Sequence, residues 1–226
     1  MASARILRGL ILDMDGVLAN TEPLQARAWV DVLARYGRKL EVPYFDRWIG
    51  VPNLETARDL VERLGLAVTP ESLIEEREPV YRELSASNLA PFPGVREWLS
   101  RQLGLPKAVA TSGHRAEVER TLRVLSLERS FEVVVTAEDV RNTKPDPEAY
   151  LLAARKLGLD PRECAVVEDS PSGIGAGVAA GCYVLAVTTT LSADSLRRAH
   201  GIYPSTMEAL GEIERLRGAG DRATRA

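Results

Sequence analysis

The chain carries two kinds of hydrophobic pattern. Short apolar runs without polar alternation occur at Gly9-Leu10-Ile11-Leu12, Lys107 to Thr111, Glu132 to Thr136, Cys164 to Glu168 and Tyr183 to Val187. Runs of this length suit strands buried on both faces of a parallel sheet. Between the later runs, stretches near 94–103, 115–126, 147–158 and 172–180 read as helices. Strand, helix, strand, helix predicts an α/β fold, a parallel sheet with helices on both faces. A last amphipathic stretch near 206–217 precedes an Arg/Gly/Ala tail that is expected to fray.

The alternation breaks once. From Glu22 to Tyr36 the period is helical, with Leu24, Ala28 and Val32 four residues apart. Asn53 to Leu64 repeats it, with Ala57, Leu60, Val61 and Leu64 on one face, and residues 71–86 form a third, more polar stretch. Three helices with no strand between them predict an inserted all-helical subdomain. Ala90-Pro91-Phe92-Pro93-Gly94 punctuates its end. The expected division is therefore 1–20 with 91–226 as the α/β core, and 21–90 as the insertion.

Composition narrows the function classes. At 226 residues the chain suits one sizeable domain with a modest insertion. Its 29 basic and 32 acidic residues leave a net charge of −3, so no basic excess points to nucleic acid or an anionic membrane. No apolar run is long enough for a membrane span or a signal peptide, and the expectation is a cytoplasmic protein, monomeric with a dimer left open. Cys164 and Cys182 each border an apolar segment, belong to no Cys/His cluster and read as small core residues.

Candidate chemistry collects just past the apolar runs. Asp13 follows the first run, at the carboxyl end of a predicted strand, where open α/β sheets bind ligands. Asp15 lies two residues on and, if the extended path persists, projects to the same side; Gly16 then lets the chain turn away. Two carboxylates this close repel unless a cation neutralises them. The arrangement calls for a hard ion, Mg²⁺, which takes one or two carboxylates plus a substrate phosphate. A polar strand-to-loop turn is the plainer reading of Asp-x-Asp-Gly alone.

Three further strand ends repeat the theme. Thr111-Ser112-Gly113 sets hydroxyls before a helix start, where they can hold a phosphate oxygen, although the same triplet is common turn chemistry. Lys144 stands in Lys-Pro-Asp-Pro, just outside a helix that Asp146 can cap with Pro147 at its first position. The chain uses 25 Arg and four Lys, so a lysine at this place is informative; its flexible point charge suits a phosphoryl oxygen and two aspartates. Glu168 and Asp169 end an apolar strand as a second acidic pair, costly without a partner and explained by a shared metal, with Glu168 bound directly or through water. Gly175-Ala-Gly177 starts too far beyond its strand for a dinucleotide loop and reads as close helix packing.

Taken in order, Asp13-Met-Asp15-Gly-Val with Thr21-Glu22 behind it, Thr111, Lys144-Pro-x-Pro and Asp169 resemble the four motifs of the haloacid dehalogenase superfamily, in its small-molecule phosphatase and β-phosphoglucomutase-like branch. The resemblance covers the chain through about residue 217. It implies a Rossmann-like core, Asp13 as nucleophile through a phosphoaspartate, Asp15 as general acid and base, and Thr111 and Lys144 as phosphate-holding groups. It also implies a metal site of Asp13, Asp15, Glu168 and Asp169, and a helical cap over 21–90 that selects a small phosphorylated metabolite. From that cap, Gln25 and Arg77 are candidate substrate contacts beside Ser112 and Lys144 of the core, although Arg77 reads equally as a solvated helix residue. In β-phosphoglucomutase, basic groups stand where this chain has Gln25, Ile49 and Asn53, so a phosphatase is expected ahead of a mutase. A non-catalytic member that binds a phospho-ligand or a protein is the alternative of another class; none of Asp13, Asp15, Lys144 or Asp169 is missing to favour it.

Overall fold

The computed structural model describes residues 6–101 and 104–224. Two compact units emerge, one from residues up to Asn20 together with Ala90 onward, the other from Thr21–Leu89.

The larger unit is built on six parallel strands: β1 (Gly9–Leu12), β2 (Lys107–Ala110), β3 (Val133–Val135), β4 (Cys164–Glu168), β5 (Tyr183–Val187) and β6 (Gly201–Tyr203). Their order is β3-β2-β1-β4-β5-β6. This is a doubly wound, Rossmann-like sheet, and its direction of winding reverses between β1 and β4. β1, β2 and β4 are buried along their whole length, as continuous apolar runs require. The edge strands β3 and β6 are three residues each and only partly covered. β6 has no counterpart among the predicted strands: three residues with Ile202 exposed make no apolar run.

Helices α4 (Val95–Ser100), α5 (Arg115–Val124), α6 (Glu148–Lys156), α7 (Pro171–Ala179) and α8 (Thr206–Thr224) complete this unit. One core layer joins Ile11, Ala108, Val135, Val166 and Val184 of the sheet to Tyr150, Ala153, Ile174 and Ala176 of the helices. Gly177 belongs to this packing, since a Cβ there would lie 2.8 Å from Val184 Cγ2. The expected helix end at 102–103 lies outside the described residues. At the other end, α8 runs to Thr224, beyond the end expected near 217; 225–226 are outside the described residues.

The smaller unit holds α1 (Glu22–Arg35), α2 (Asn53–Leu64) and α3 (Pro70–Asn88), with α3 packed on both others. Its core is Trp29, Val32, Leu33, Phe45, Trp48, Ala57, Leu60 and Leu73. Phe45 and Trp48 come from a 3-10 helix, Val42–Trp48, that no helical period announced. Thr69 starts α3 by accepting a hydrogen bond from the Ser72 amide at 3.1 Å, and Gly65 ends α2 in the left-handed conformation that favours glycine. Among the described residues no helix is long and apolar enough to cross a membrane.

Candidate active site

Strand register brings the sequence motifs to one edge of the sheet. Leu12 pairs with Val109 on one side and with Val167 on the other. Asp13 is therefore level with Ala110 and Glu168, while Thr111 and Asp169 stand one residue further out. All lie at or just past the carboxyl ends of β1, β2 and β4, at the point where the sheet's winding reverses, the place open α/β sheets reserve for ligands.

Lys144 arrives from the loop before α6 and is almost wholly enclosed, with 6% of its side chain exposed. Its Nζ donates to Asp13 Oδ1 at 2.5 Å, Glu168 Oε1 at 2.7 Å and the Ala110 carbonyl at 2.9 Å, three acceptors for three protons. The ammonium also lies 5.0 Å from the centre of the Tyr150 ring. Burial disfavours its charge, but Asp13 and Glu168 outweigh that and hold its pKa well above the ordinary lysine value. The helix behind it begins at Glu148, with Pro147 one residue before it; Asp146 Oδ1 accepts from the Glu148 amide at 3.0 Å, which keeps the loop in place.

Against this one cation stand three buried carboxylates. Asp13, Glu168 and Asp169 each offer an oxygen within 4.8 Å of the others'. Two such charges repel by about 3 kcal/mol at an effective dielectric near 20. Burial, with Glu168 and Asp15 nearby, pushes Asp13 up to about 7 in spite of Lys144. Asp169 is also driven well above the ordinary range, by burial and then by Glu168 and Asp13, with the Thr190 hydroxyl acting the other way. A dense set of carboxylate oxygens, under-neutralised and desolvated, is the chemistry of a hard divalent cation site.

The three acids differ in what is left to give. Glu168 Oε1 accepts from Lys144 and, at 2.9 Å, from Tyr150 Oη; Oε2 accepts from the amides of Asp169 and Ser170 and from Ser170 Oγ, each at 2.9 Å. Five donors fill a carboxylate with about four lone-pair sites. Burial works against its charge, yet Lys144 and these donors hold its pKa below the ordinary value. Glu168 thus anchors Lys144, and an ion on it would have to displace a donor. The paired acids were expected to need a metal as partner; for Glu168 that partner is Lys144.

Asp15 departs from its expected place. The extended path does not persist: the chain bends at Met14, Asp15 bridges to Ala19, and Gly16 turns at φ +69°. Asp15 is half-buried, and its carboxylate is not in the three-acid cluster. A Cβ on Gly16 would fall 1.8 Å from Asp169 Oδ2, so only glycine lets this turn approach β4.

Thr111 is buried, and its Oγ1 accepts from the Gly113 amide at 3.1 Å, which leaves the hydroxyl proton for another acceptor; Ser112 is exposed. Gln25 is half-buried on α1, and among the described residues its Oε1, shielded from solvent, meets no donor. Arg77 is not a solvated helix residue: it is fully buried, its guanidinium 4.8 Å from the Trp29 ring centre and 5.0 Å from that of Tyr81. Two groups went unread in the sequence, Tyr150 on Glu168 and the Thr189-Thr190 pair just past β5. The one available signal was the threonine run Thr188-Thr189-Thr190 at a strand's carboxyl end, where Asp13, Thr111 and Asp169 also lie.

Comparison with known proteins finds relatives over most of the chain. The model of the haloacid dehalogenase-like hydrolase family matches residues 10–187. The chain is 35% identical over 176 residues to the fructose-1-phosphate phosphatase YqaB of Escherichia coli, covering 76% of this chain and 92% of that one. It is 39% identical over 181 residues to a phosphorylated carbohydrates phosphatase of Thermotoga maritima, covering 77% and 82%. A β-phosphoglucomutase-like crystal structure from Thermotoga maritima superposes with a TM-score of 0.79 at 33% identity, covering 92% of this chain and 99% of that one.

Proposed function

We propose that this chain, a member of the haloacid dehalogenase-like hydrolase family, hydrolyses phosphoric monoesters of small sugars or related polyols through a phosphoaspartate on Asp13. One observation carries the reading: Asp13 is buried at the end of β1 with one oxygen on Lys144, beside a second under-neutralised acid, Asp169. Asp13 and Asp169 would hold Mg²⁺, assisted by the turn that carries Asp15. A bound Mg²⁺ supplies positive charge against the phosphoryl oxygens and lowers the proton affinity of both acids.

The residues divide the rest of the work. Asp13 attacks phosphorus as the ester oxygen departs, while Lys144 and the Thr111 hydroxyl stabilise the charge on the equatorial oxygens. Asp15 gives its proton to the leaving alcohol and later takes one from the water that cleaves the phosphoaspartate. Its half-exposed turn suits a group that must exchange protons, whereas the enclosed Asp13 suits a nucleophile kept from bulk water. Gln25, Ile49 and Asn53, neutral where a mutase carries basic groups, favour hydrolysis over transfer to a second sugar position.

The test is phosphate release from a panel of phosphorylated sugars and polyols. Release is expected with Mg²⁺, to stop in excess chelator and to return when Mg²⁺ is restored. Undiminished release in chelator would overturn the metal assignment, and silence across the panel would overturn the substrate class.

A further inference from the structure

Three segments close on one another behind the acidic cluster. The segment after β5 sends the Thr190 hydroxyl to Asp169 Oδ2 at 2.5 Å and the Thr189 hydroxyl to the Gly16 carbonyl at 2.5 Å. The same Thr190 oxygen lies 3.4 Å from the Asp169 carbonyl. Gly16 brings the turn after β1 against both: a Cβ there would meet Asp169 Oδ2 at 1.8 Å and Thr190 Cγ2 at 2.8 Å. Consecutive hydroxyls thus tie the end of β4 to the turn that holds Asp15, across 21 and 173 residues of sequence.

We infer that Thr190, seconded by Thr189, is a positioning residue of the metal site, setting which oxygen of Asp169 faces the ion. A hydroxyl proton takes one lone pair of Oδ2 and fixes the carboxylate's rotation, so Oδ1 is presented to a cation without the rotamer search a loose aspartate would pay for in affinity. The Thr189 bond holds the Gly16 turn at the distance this requires. The methyl of Thr190 lies in the space that Gly16 leaves. This inference rests on the reading of Asp13 and Asp169 as holders of Mg²⁺.

Calorimetric titration of the ion-free protein with MgCl₂ tests it without reference to turnover. Thr190→Val keeps shape and loses the donor; it should weaken Mg²⁺ binding by about 10- to 100-fold. Thr190→Ser keeps the donor and should bind within a few-fold of wild type. If the valine variant does not fold, Thr190→Ala removes the donor without new bulk and should show the same weakening. Wild-type affinity in a folded Thr190→Val or Thr190→Ala protein would overturn the inference, as would a serine variant as weak as the valine one. A wild-type protein that takes up no Mg²⁺ would overturn the metal reading itself, and this inference with it.

Discussion

Asp13 and Asp15 stand two residues apart in surroundings that suit opposite tasks. Asp13 is enclosed and fixed by Lys144, so its oxygen is aimed and dry; Asp15 sits half-buried in a turn that Gly16 makes possible. Asp15→Ala should therefore slow hydrolysis of alkyl phosphates by about 10²- to 10⁴-fold, the usual worth of a general acid. The loss should be much smaller for an aryl phosphate, whose leaving group needs little protonation. Steady-state rates on a matched pair of esters check this, and equal losses on both would remove Asp15 from proton donation. At this scale the chain was legible where a reactive side chain stands at the end of an apolar run, as with Asp13, Thr111 and Asp169, and where a marked loop sequence such as Lys-Pro-Asp-Pro sets off Lys144. Tyr150, Thr189 and Thr190 act through hydrogen bonds to residues 18, 173 and 21 positions away, which no local pattern encodes.

Between single residues and the sheet, short capping structures hold the site loops. After β3, Asp139 Oδ2 accepts from the Thr136 amide at 2.8 Å and the Thr136 hydroxyl at 3.0 Å, and it pairs with the Arg115 guanidinium at the start of α5. The Ala137 amide donates to the Gly113 carbonyl at 3.1 Å, so this box clamps the loop that carries Thr111. Burial disfavours the Asp139 charge, but the Thr136 donors and Arg115 prevail and hold its carboxyl below the usual 3.8. A depressed acid stabilises the fold above its unfolded pKa and loses that contribution as pH falls through its folded one. Asp139→Asn should cost about 1 kcal/mol at neutral pH. The gap to wild type should narrow in denaturant melts as pH drops below 3.8. A gap independent of pH would mean that shape, not charge, is what Asp139 contributes. Elements of this size were partly legible: buried strands declare themselves as apolar runs. The three-residue β6 and the 3-10 helix Val42–Trp48 are too short for any period to show.

On the scale of the whole molecule, the winding of the sheet makes the chemistry possible. Because β1 and β4 are neighbours in space, Asp13 and Asp169 meet although 156 positions separate them, and Lys144 reaches Asp13 across 131. The alternation of apolar runs with helical periods was enough to predict a parallel sheet, and the break in it predicted a helical insertion. Strand order was beyond it, since that follows from which runs pair. The proposed hydrolysis turns on Asp13 itself receiving the phosphoryl group. The most direct measurement is phosphate release by Asp13→Asn, with circular dichroism and thermal melting to verify the fold. The amide keeps the shape of the side chain and lacks a nucleophilic oxygen, so release should fall by about 10⁴-fold or more. A folded Asp13→Asn protein that releases phosphate at close to the wild-type rate would remove Asp13 as the nucleophile.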